Sequence, residues 1–197
     1  MIIFDVGANT GSNSAHLKND KNNTVYAFEP TPFLIETYLN KLRDDNYIII
    51  NKAVSDFSGY AEFNIAGQSD WGCSSLNTFE DNLSSTWPGR SDFRITEKIN
   101  VEVIRLDDFI KNNNILSVDY LHCDTQGNDL KVLKSFGEEI SKLKAGVVEG
   151  FRKNPLYKDI DNSVDNIVSF LQSNNFKITR IDDNDCFSNE CNIFFER

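Results

Sequence analysis

The sequence predicts a single α/β domain, residues 1–197, in which a mostly parallel β-sheet is flanked by helices and ends in an antiparallel hairpin. Three observations predict this fold. Short apolar runs typical of buried strands alternate with segments of helical periodicity. The first apolar run leads directly into a turn that carries glycines. Near the end of the chain, residues 176–181 and 191–195 read as two strands that pair as a hairpin. A chain of 197 residues suffices for one such domain.

The first strand, residues 1–6, is apolar on both sides apart from one acid, so we expect it to lie centrally in the sheet. Gly7 and Gly11 then allow the backbone to turn sharply and to approach a ligand closely. Residues 12–18 can begin a helix whose free amides point back at the turn. This strand, loop and helix are suited to a nucleotide-like cofactor.

Two acidic residues indicate which cofactor the turn holds. Asp5 ends the first strand, where it would repel the pyrophosphate of a dinucleotide but attract a cationic ligand. The second strand, residues 24–28, is followed by Glu29, and an acid about 20 residues past the glycines hydrogen-bonds ribose hydroxyls. S-adenosylmethionine carries a sulfonium, an ammonium group and a ribose. We therefore predict that cofactor.

The run Asp-Val-Gly-Ala-Asn-Thr-Gly at residues 5–11, followed by Ala-Phe-Glu-Pro at residues 27–30, resembles the FkbM-type family of S-adenosylmethionine-dependent methyltransferases. The resemblance implies the Rossmann-like class I methyltransferase fold, with a seven-stranded sheet. It also implies O-methylation of a sugar or glycan hydroxyl. From the residues and the resemblance together, we expect cofactor contacts from Asp5, Gly7, Ala8, Asn9, Gly11, Glu29, Pro30, Ala53 and Asp124.

The next elements continue the alternation. Residues 31–43 have helical spacing and residues 47–50 form a third apolar strand. Beyond that strand, Ala53 and either Asn51 or Asp56 are candidates to contact the adenine. Residues 59–65 alternate as an exposed strand.

Residues 66–97 lose this regularity, and loops of about 30 residues inside a compact domain are usually functional or disordered. Trp71 offers a flat apolar face, and Ser74 and Ser75 offer hydroxyls, with Asp70 beside them. This mixture suits a sugar substrate. The segment is either a substrate lid or a flap that its aromatic residues pin to the core. The family resemblance, which includes a similar Ser-Ser-Leu, favours the lid.

After a strand at residues 98–106 and a short helix, the fourth core strand, residues 118–123, leads into Asp124. This strand should lie beside the first, which places Asp124 at the switch point where ligands bind. The family pattern here is Lys-Ile-Asp-Val-Glu-Gly-x-Glu. The chain keeps two of its residues, Asp124 and Gly127, and departs from it at three, His122, Gln126 and Asp129.

Methyl transfer to an alcohol requires a base, and three residues are candidates. Asp124 is the first, and Glu149, at the end of the fifth strand, residues 144–148, is the second. His122 lies two residues before Asp124 in a strand, so both should face the same way. The alternative reading of His122, a hydrogen-bonded core residue, is the favoured one. A pair formed by Asp124 and Glu149 could instead hold Mg²⁺, with little support from the spacing.

Composition excludes several functions. A net charge of −10 and a pI near 4.7 argue against nucleic-acid partners, including an RNA substrate. No segment is apolar enough to span a membrane and no signal peptide is present, so we expect a soluble, cytoplasmic protein. The four cysteines lack zinc spacing, and Cys186 and Cys191, which could meet across the hairpin, are expected to be free thiols.

Two other function classes remain open. A nicotinamide-dependent oxidoreductase is disfavoured by Asp5 and by Asn9, which stands where a dinucleotide motif has its second glycine. A non-catalytic module of the same fold is disfavoured by the intact set of acids and glycines. The first strand begins at residue 2 without a leading helix, so we expect either a minimal enzyme or a module associated, covalently or not, with a larger glycan-processing enzyme.

Overall fold

The computed structural model describes residues 1–67, 71–90, 93–184 and 189–197. The strands are β1 Ile2–Val6, β2 Thr24–Phe28, β3 Tyr47–Ile50, β4 Ala53–Val54, β5 Gly59–Ile65, β6 Glu97–Ile104, β7 Tyr120–Cys123, β8 Ala145–Phe151, β9 Lys177–Asp183 and β10 Glu190–Glu196. The α-helices are α1 Pro32–Thr37, α2 Leu83–Thr86, α3 Leu106–Asn112, α4 Asp129–Lys134 and α5 Val164–Ser173. Among the described residues, no helix is long and apolar enough to cross a membrane.

The main sheet has seven strands in the order β3-β2-β1-β7-β8-β10-β9. Its neighbours are parallel except for β10, which runs antiparallel to β8 and β9. This confirms the predicted sheet and its C-terminal hairpin. Because β2 and β7 lie on opposite sides of β1, the chain order reverses there, and a crevice opens at the carboxyl ends of these strands.

The central position of β1 follows from its two apolar faces. Phe4 packs in the larger core, where its ring meets those of Phe28 and Phe109 edge-on at centroid distances of 5.5 and 5.8 Å. Ile3 faces the other way, into a smaller cluster with Leu39 and Tyr47. A strand that is covered on both sides has no face for water, which explains its nearly continuous apolar sequence.

A second sheet of three strands, in the order β4-β6-β5, stands apart from the main one. The long strands β5 and β6 are antiparallel, with Gly59 opposite Val103 and Ile65 opposite Glu97. The sequence predicted both strands but not their separate sheet, nor the two-residue strand β4. This sheet brings Phe63 and the chain that follows β5 to the crevice.

Two predicted helices are shorter than expected. In place of a helix at residues 12–18, a 3-10 helix spans Ala15–Asn19, and the predicted helix at 31–43 is α1 followed by a 3-10 helix at Leu39–Lys41. The first segment opens with Ser12, Asn13 and Ser14, which are poor helix formers. The Ser14 hydroxyl bonds the side chains of Asp5 and Tyr47 and does not cap the segment. Both segments still return the chain to the sheet.

Candidate active site

A cleft with a cavity volume of about 160 Å³ opens at the carboxyl ends of β1, β2, β3 and β7. The loops that follow these strands form its floor, and part of the chain after β5 forms a wall. Ligand pockets in proteins commonly have volumes of roughly 300–1,000 Å³. A nucleoside-containing cofactor would therefore extend beyond the cavity into the open part of the cleft.

The loop after β1 is held close to the loop after β7. Gly7 has a φ of +80°, and a Cβ at this position would lie 2.0 Å from the carbonyl oxygen of Asp124. The amides of Gly7 and Ala8 both donate to the carbonyl of Phe28 at 3.0 Å, which ties the loop to β2. Only a glycine at position 7 allows the two loops to approach this closely.

The residues of this loop divide between the cleft and the core. Gly7 and Asn9 line the cleft. Ala8 is buried in the cluster behind the loop, and Gly11 packs against Leu42, whose Cδ1 would lie 2.5 Å from an added Cβ. Of the predicted cofactor contacts in this loop, the structure thus brings Gly7 and Asn9 to the cleft, whereas Ala8 and Gly11 support them from behind.

Glu29 lies at the rim of the cleft after β2 and is only 4% exposed. Its Oε2 accepts a hydrogen bond from the Asn9 amide at 2.9 Å, and its Oε1 accepts one from the Thr31 amide at 2.8 Å. Burial raises the pKa of Glu29, although the amides of Thr31 and Asn9 favour its charged form. Each oxygen keeps further acceptor capacity, so the fixed carboxylate can receive two neighbouring hydroxyls.

Pro30 and Ala53 line the cleft beside Glu29, as predicted for cofactor contacts. Asn51 does not line it. Its side-chain amide donates to the carbonyls of Glu29 and Pro30, at 3.1 Å each, and so holds the rim in shape. Asp56 is also outside the lining, and its carbonyl accepts a hydrogen bond from Arg105.

Asp5 is completely buried and does not line the cleft. Its Oδ2 accepts a hydrogen bond from the Ser14 hydroxyl, and its Oδ1 lies 2.9 Å from Nδ1 of His122. Direct contact with a cationic ligand, which the sequence analysis expected, therefore does not fit this geometry. Because side chains alternate along β1, Asp5 points to the same face of the sheet as Ile3. Both of its carboxylate oxygens are bonded to protein side chains there.

His122 faces a second groove, on that same face of the sheet, and not the cleft. Burial lowers the pKa of His122, but its hydrogen bond to Asp5 and the charge of Asp5 outweigh burial, so the pKa is raised. The expectation that His122 and Asp124 face the same way is wrong, because β7 ends at Cys123 and Asp124 already belongs to the loop. His122 is hydrogen-bonded, as the favoured reading held, but its side chain is 23% exposed at the groove, so it is not a core residue.

Asp124 lines the cleft, as expected, opposite the glycine loop. Its Oδ1 accepts a hydrogen bond at 2.7 Å from Nε2 of Gln126, which also lines the cleft. Glu149 lies behind this pair, 1% exposed and outside the lining, with Oε2 at 3.1 Å from the same Nε2 and Oε1 at 2.6 Å from the Asn184 amide. Burial raises the pKa of Glu149 well above its usual range. The structure therefore brings Asp124, but not Glu149, to the cleft.

A further acid, Asp129, supports the loop after β7 from below. It is completely buried at the start of α4, where its Oδ1 accepts from the Thr125 amide at 3.3 Å and its Oδ2 from Asn162 at 3.3 Å. Burial, together with the charge of Asp124, raises the pKa of Asp129 to about 7. Asp129 shapes the loop rather than lining the cleft.

The first half of the segment at residues 66–97 forms a wall of the cleft. Trp71 lines it and stacks on Phe33, with ring centroids 4.8 Å apart. Ser74 also lines it and accepts a hydrogen bond from the Ala66 amide at 3.1 Å. Ser75 is buried, and its hydroxyl donates to the Gln126 carbonyl at 2.7 Å. Asp70 lies outside the described residues.

The second half of the segment is fixed to the body of the protein. Trp87 is 3% exposed, packs among Phe151 and Tyr157, and donates from Nε1 to the Asn154 carbonyl. Phe79 stacks on Tyr157 at 5.3 Å. Trp71, Gly72, Ser74 and Leu76 thus line the cleft, and the aromatic residues that follow pin the chain. That the segment acts as a substrate lid stays a prediction.

The described residues give no support to a metal site. Within residues 1–67, 71–90, 93–184 and 189–197, no cluster of three or more His, Cys, Asp or Glu side chains is arranged to hold a metal ion. The Gln126 amide, which repels a cation, stands between Asp124 and Glu149. Cys123 and Cys191 are buried free thiols, Cys73 is also buried, and Cys186 lies outside the described part of the chain.

Sequence reasoning missed two residues of this site. Gln126 was noted only as a departure from the family pattern, yet its side chain contacts both Asp124 and Glu149. Tyr157, whose hydroxyl reaches Gln126, lies in an irregular segment after β8 where no periodicity points to a role. An isolated tyrosine is recognisable as part of a site only when its three-dimensional neighbours are known.

Several solved structures share this fold. Aeropyrum pernix fibrillarin with natively bound S-adenosyl-L-methionine has a TM-score of 0.51 at 13% identity, over 98% of this chain and 65% of that one. M. capricolum TrmK with S-adenosyl-homocysteine has a TM-score of 0.51 at 14% identity, over 100% and 62%. Magnesium protoporphyrin IX methyltransferase (ChlM) from Synechocystis PCC 6803 with bound SAM has a TM-score of 0.51 at 12% identity, over 99% and 69%. At these identities the similarity shows the fold alone.

A comparison with curated proteins finds no match. A family model, described as the methyltransferase FkbM domain, matches residues 5–178. That range contains the last two residues of β1, the glycine loop, Glu29, Asp124, the strands β2, β3, β7 and β8, and the first two residues of β9. The chain belongs to the FkbM methyltransferase family.

Proposed function

We propose that this protein is an S-adenosylmethionine-dependent O-methyltransferase that acts on a hydroxyl of a sugar or glycan. One observation carries the proposal: Glu29, fixed by two backbone amides, and Asp124 line the same cleft, on either side of the glycine loop. Such a cleft needs one acid for the ribose of a cofactor and one for the proton of an acceptor. Membership of the FkbM family supports the transfer of a methyl group.

The residues present fit the cofactor. Glu29 would accept hydrogen bonds from the ribose hydroxyls, and Ala53 would contact the adenine. The loop at Gly7 and Asn9 would pack against the methionine portion. When bound, S-adenosylmethionine supplies an electrophilic methyl group on its sulfonium.

Asp124 is the residue that we assign as the base. In methyl transfer most of the rate can come from alignment of the acceptor with the methyl group, and the hydroxyl must also lose its proton. Asp124 lines the cleft and is the acid nearest the switch point between β1 and β7, so its carboxylate would receive that proton. Glu149 and His122 do not reach the cleft.

The wall of the cleft supports a polyhydroxyl acceptor. Trp71 offers an aromatic face and Ser74 a hydroxyl, a pairing that suits the C–H faces and hydroxyls of a sugar. Among the described residues that line the cleft, Lys52 is the one cation, and it is paired with Glu102 at 2.7 Å. We therefore favour an uncharged acceptor over a nucleic acid, and a larger glycan-processing enzyme remains a proposed partner.

Asp124→Asn separates chemistry from binding. Calorimetry with S-adenosylhomocysteine should give similar affinity for the wild type and the variant. Transfer from labelled donor to a panel of deoxysugars, nucleotide sugars and glycans, read by mass, should fall by about 10²–10⁴-fold in the variant. The exposed Asp45→Asn is the matched control and should behave as the wild type.

Three results would contradict parts of the proposal. If the wild type binds no S-adenosylhomocysteine, the cofactor assignment is wrong. Unchanged turnover in Asp124→Asn would remove Asp124 from the mechanism, and methylation of an amine or carbon acceptor alone would change the reaction class.

A further inference from the structure

The side chain of Gln126 joins groups from three parts of the chain. Its Nε2 donates to Asp124 at 2.7 Å and to Glu149 at 3.1 Å, and its Oε1 lies 2.9 Å from the hydroxyl of Tyr157. The two carboxyl groups accept hydrogen bonds and the tyrosine hydroxyl donates one, so the NH₂ end of the amide faces the acids and its oxygen faces Tyr157. Gln126 is 9% exposed, so these bonds are formed largely out of water.

The backbone of Gln126 is held as firmly as its side chain. It has a φ of +56°, in the left-handed region that non-glycine residues adopt rarely and only where their surroundings hold them there. Its carbonyl accepts from the Ser75 hydroxyl at 2.7 Å and from the Asn77 amide at 3.3 Å. The segment that forms the wall of the cleft is therefore bonded directly to the residue beside Asp124.

Tyr157 completes the connection between this wall and the acids. Its hydroxyl lies 2.8 Å from the carbonyl of Cys73 and 2.9 Å from Oε1 of Gln126. Both partners are acceptors, so the single hydroxyl proton serves one of them at a time. A displacement of Cys73 would change the hydrogen bond that orients Gln126.

We propose that Gln126 is a positioning residue for the base: it holds the Asp124 carboxylate in its orientation at the cleft and links that orientation, through Ser75 and Tyr157, to the wall at residues 71–77. This inference rests on the proposed function, since it takes Asp124 as the base. An amide suits the task because it donates to both acids without adding charge. A glutamate of the same shape would place a third carboxyl group between them.

The decisive variant is Gln126→Glu, with Gln126→Met and Tyr157→Phe beside it. In Gln126→Glu a negative neighbour makes Asp124 hold its proton to higher pH. The acid limb of the kcat profile should therefore move to higher pH by about one unit, so that kcat falls by up to about tenfold at pH values on that limb and recovers as the pH rises above it.

The other variants remove hydrogen bonds without adding charge. Gln126→Met should lower kcat about 10–100-fold on the pH plateau with KM changed less than about threefold, because alignment and not binding is lost. Its acid limb should also move to higher pH, because the charged Asp124 carboxylate loses a hydrogen bond. Tyr157→Phe should lower kcat about 3–10-fold in the same manner. The exposed Gln172→Glu, in α5, is the matched control and should keep the wild-type profile.

Turnover is expressed per site that binds S-adenosylhomocysteine, so that poorly folded protein does not count. A purely structural role would lower the number of such sites and the Tm but leave kcat per site and its pH profile unchanged, and that result would overturn the proposal.

Failure of this inference can be told from failure of the proposed function. Absence of S-adenosylhomocysteine binding by the wild type overturns both. Cofactor-product binding and methyl transfer with a wild-type pH profile in Gln126→Glu overturn this inference alone. Carboxyl ¹³C NMR titrations of wild type and Gln126→Met give a readout without substrate: Asp124 should titrate differently in the two proteins, and identical titrations would contradict its coupling to Gln126.

Discussion

Among single residues, Glu29 carries the most specific expectation for ligand binding. Replacing it with alanine should weaken S-adenosylhomocysteine binding about 10–100-fold, because hydrogen bonds to a charged group each contribute about 1.5–3 kcal/mol. The same change also releases the amides of Asn9 and Thr31, so the rim should loosen. Calorimetry measures the affinity, with the exposed Glu36→Ala in α1 as the control.

Glu29→Gln distinguishes the two effects. It keeps one acceptor oxygen for an amide but presents an NH₂ group to the other, so a smaller loss than in the alanine variant is expected. Wild-type affinity in both variants would contradict the assignment of Glu29 to the ribose.

How far residues could be assigned from sequence depends on where their side chains point. Glu29 and Asp124 follow directly after parallel strands, and the edge of the sheet places such residues at the cleft. Asp5 lies one residue before the end of β1, so the alternation of side chains directs it towards His122 and away from the cleft. A single sequence holds no pattern that shows the contact between Asp5 and His122. Because Asp5 does not face the cleft, its charge gives no reason to exclude a dinucleotide there. Family membership, and not Asp5, now supports a methyl donor.

At the scale of elements, the approach of the loop after β1 to the loop after β7 depends on one missing side chain. Gly7 and Gly89 have nearly the same φ, +80° and +85°, but a Cβ on Gly7 would meet the Asp124 carbonyl whereas one on Gly89 would meet nothing within 4 Å. Gly89→Ala should therefore cost only the strain of its backbone, about 1–2 kcal/mol.

Gly7→Ala should cost more than about 4 kcal/mol and abolish binding of S-adenosylhomocysteine, because the two loops must separate. Urea unfolding monitored by circular dichroism gives both values. Equal destabilisation of the two variants would show that the close contact of the loops is unimportant.

The elements themselves were predicted unevenly. The first three buried strands were found nearly residue for residue, because their apolar runs are short and lie between turn residues. The predicted end of the fifth strand at residue 148 was wrong: β8 continues to Phe151, which places Glu149 inside the strand and not at its end. The helix at residues 12–18 was not, since the short polar side chains at its start shift the segment towards a 3-10 helix. The segment at residues 66–97 has no periodicity, and its division into a cleft wall and a fixed half became visible only from contacts such as Trp87 with Tyr157.

For the molecule as a whole, buried acids should set the dependence of stability on pH. The pKa of Asp129 is raised by burial to about 7, against about 3.9 in an unfolded chain. Between these values the folded state binds more protons than the unfolded state, so the free energy of unfolding should fall as pH rises from about 4 to about 7. Burial of Glu29 and Glu149 acts in the same direction.

The variant Asp129→Asn tests this dependence of stability on pH. It keeps an acceptor for the Thr125 amide but does not titrate, so its Tm should fall less between pH 5 and pH 8 than that of the wild type. Over this pH range the difference in the free energy of unfolding is at most about 2.7 kcal/mol. Asp45→Asn removes one exposed charge and should retain the wild-type slope, and equal slopes in all three proteins would contradict the role of Asp129. High salt screens the general repulsion of a chain of net charge −10 but not a buried group.

The architecture of the whole molecule was largely predictable, because alternating strands and helices permit few arrangements of a parallel sheet. Strand order and the C-terminal hairpin follow from that rule and from the family resemblance. The second sheet of β4, β5 and β6 could not be foreseen, since pairing between distant exposed strands leaves little trace in one sequence.

The stacking of Trp71 on Phe33 at the edge of the cleft gives this chain its own optical probe. The protein has two tryptophans, and Trp87 is sealed in the interior, so a change in emission on adding a ligand originates from Trp71. Exclusion of water from its indole should shift that emission to shorter wavelength. Occupancy, and the speed at which it is reached in a stopped-flow instrument, can then be followed in the unlabelled protein.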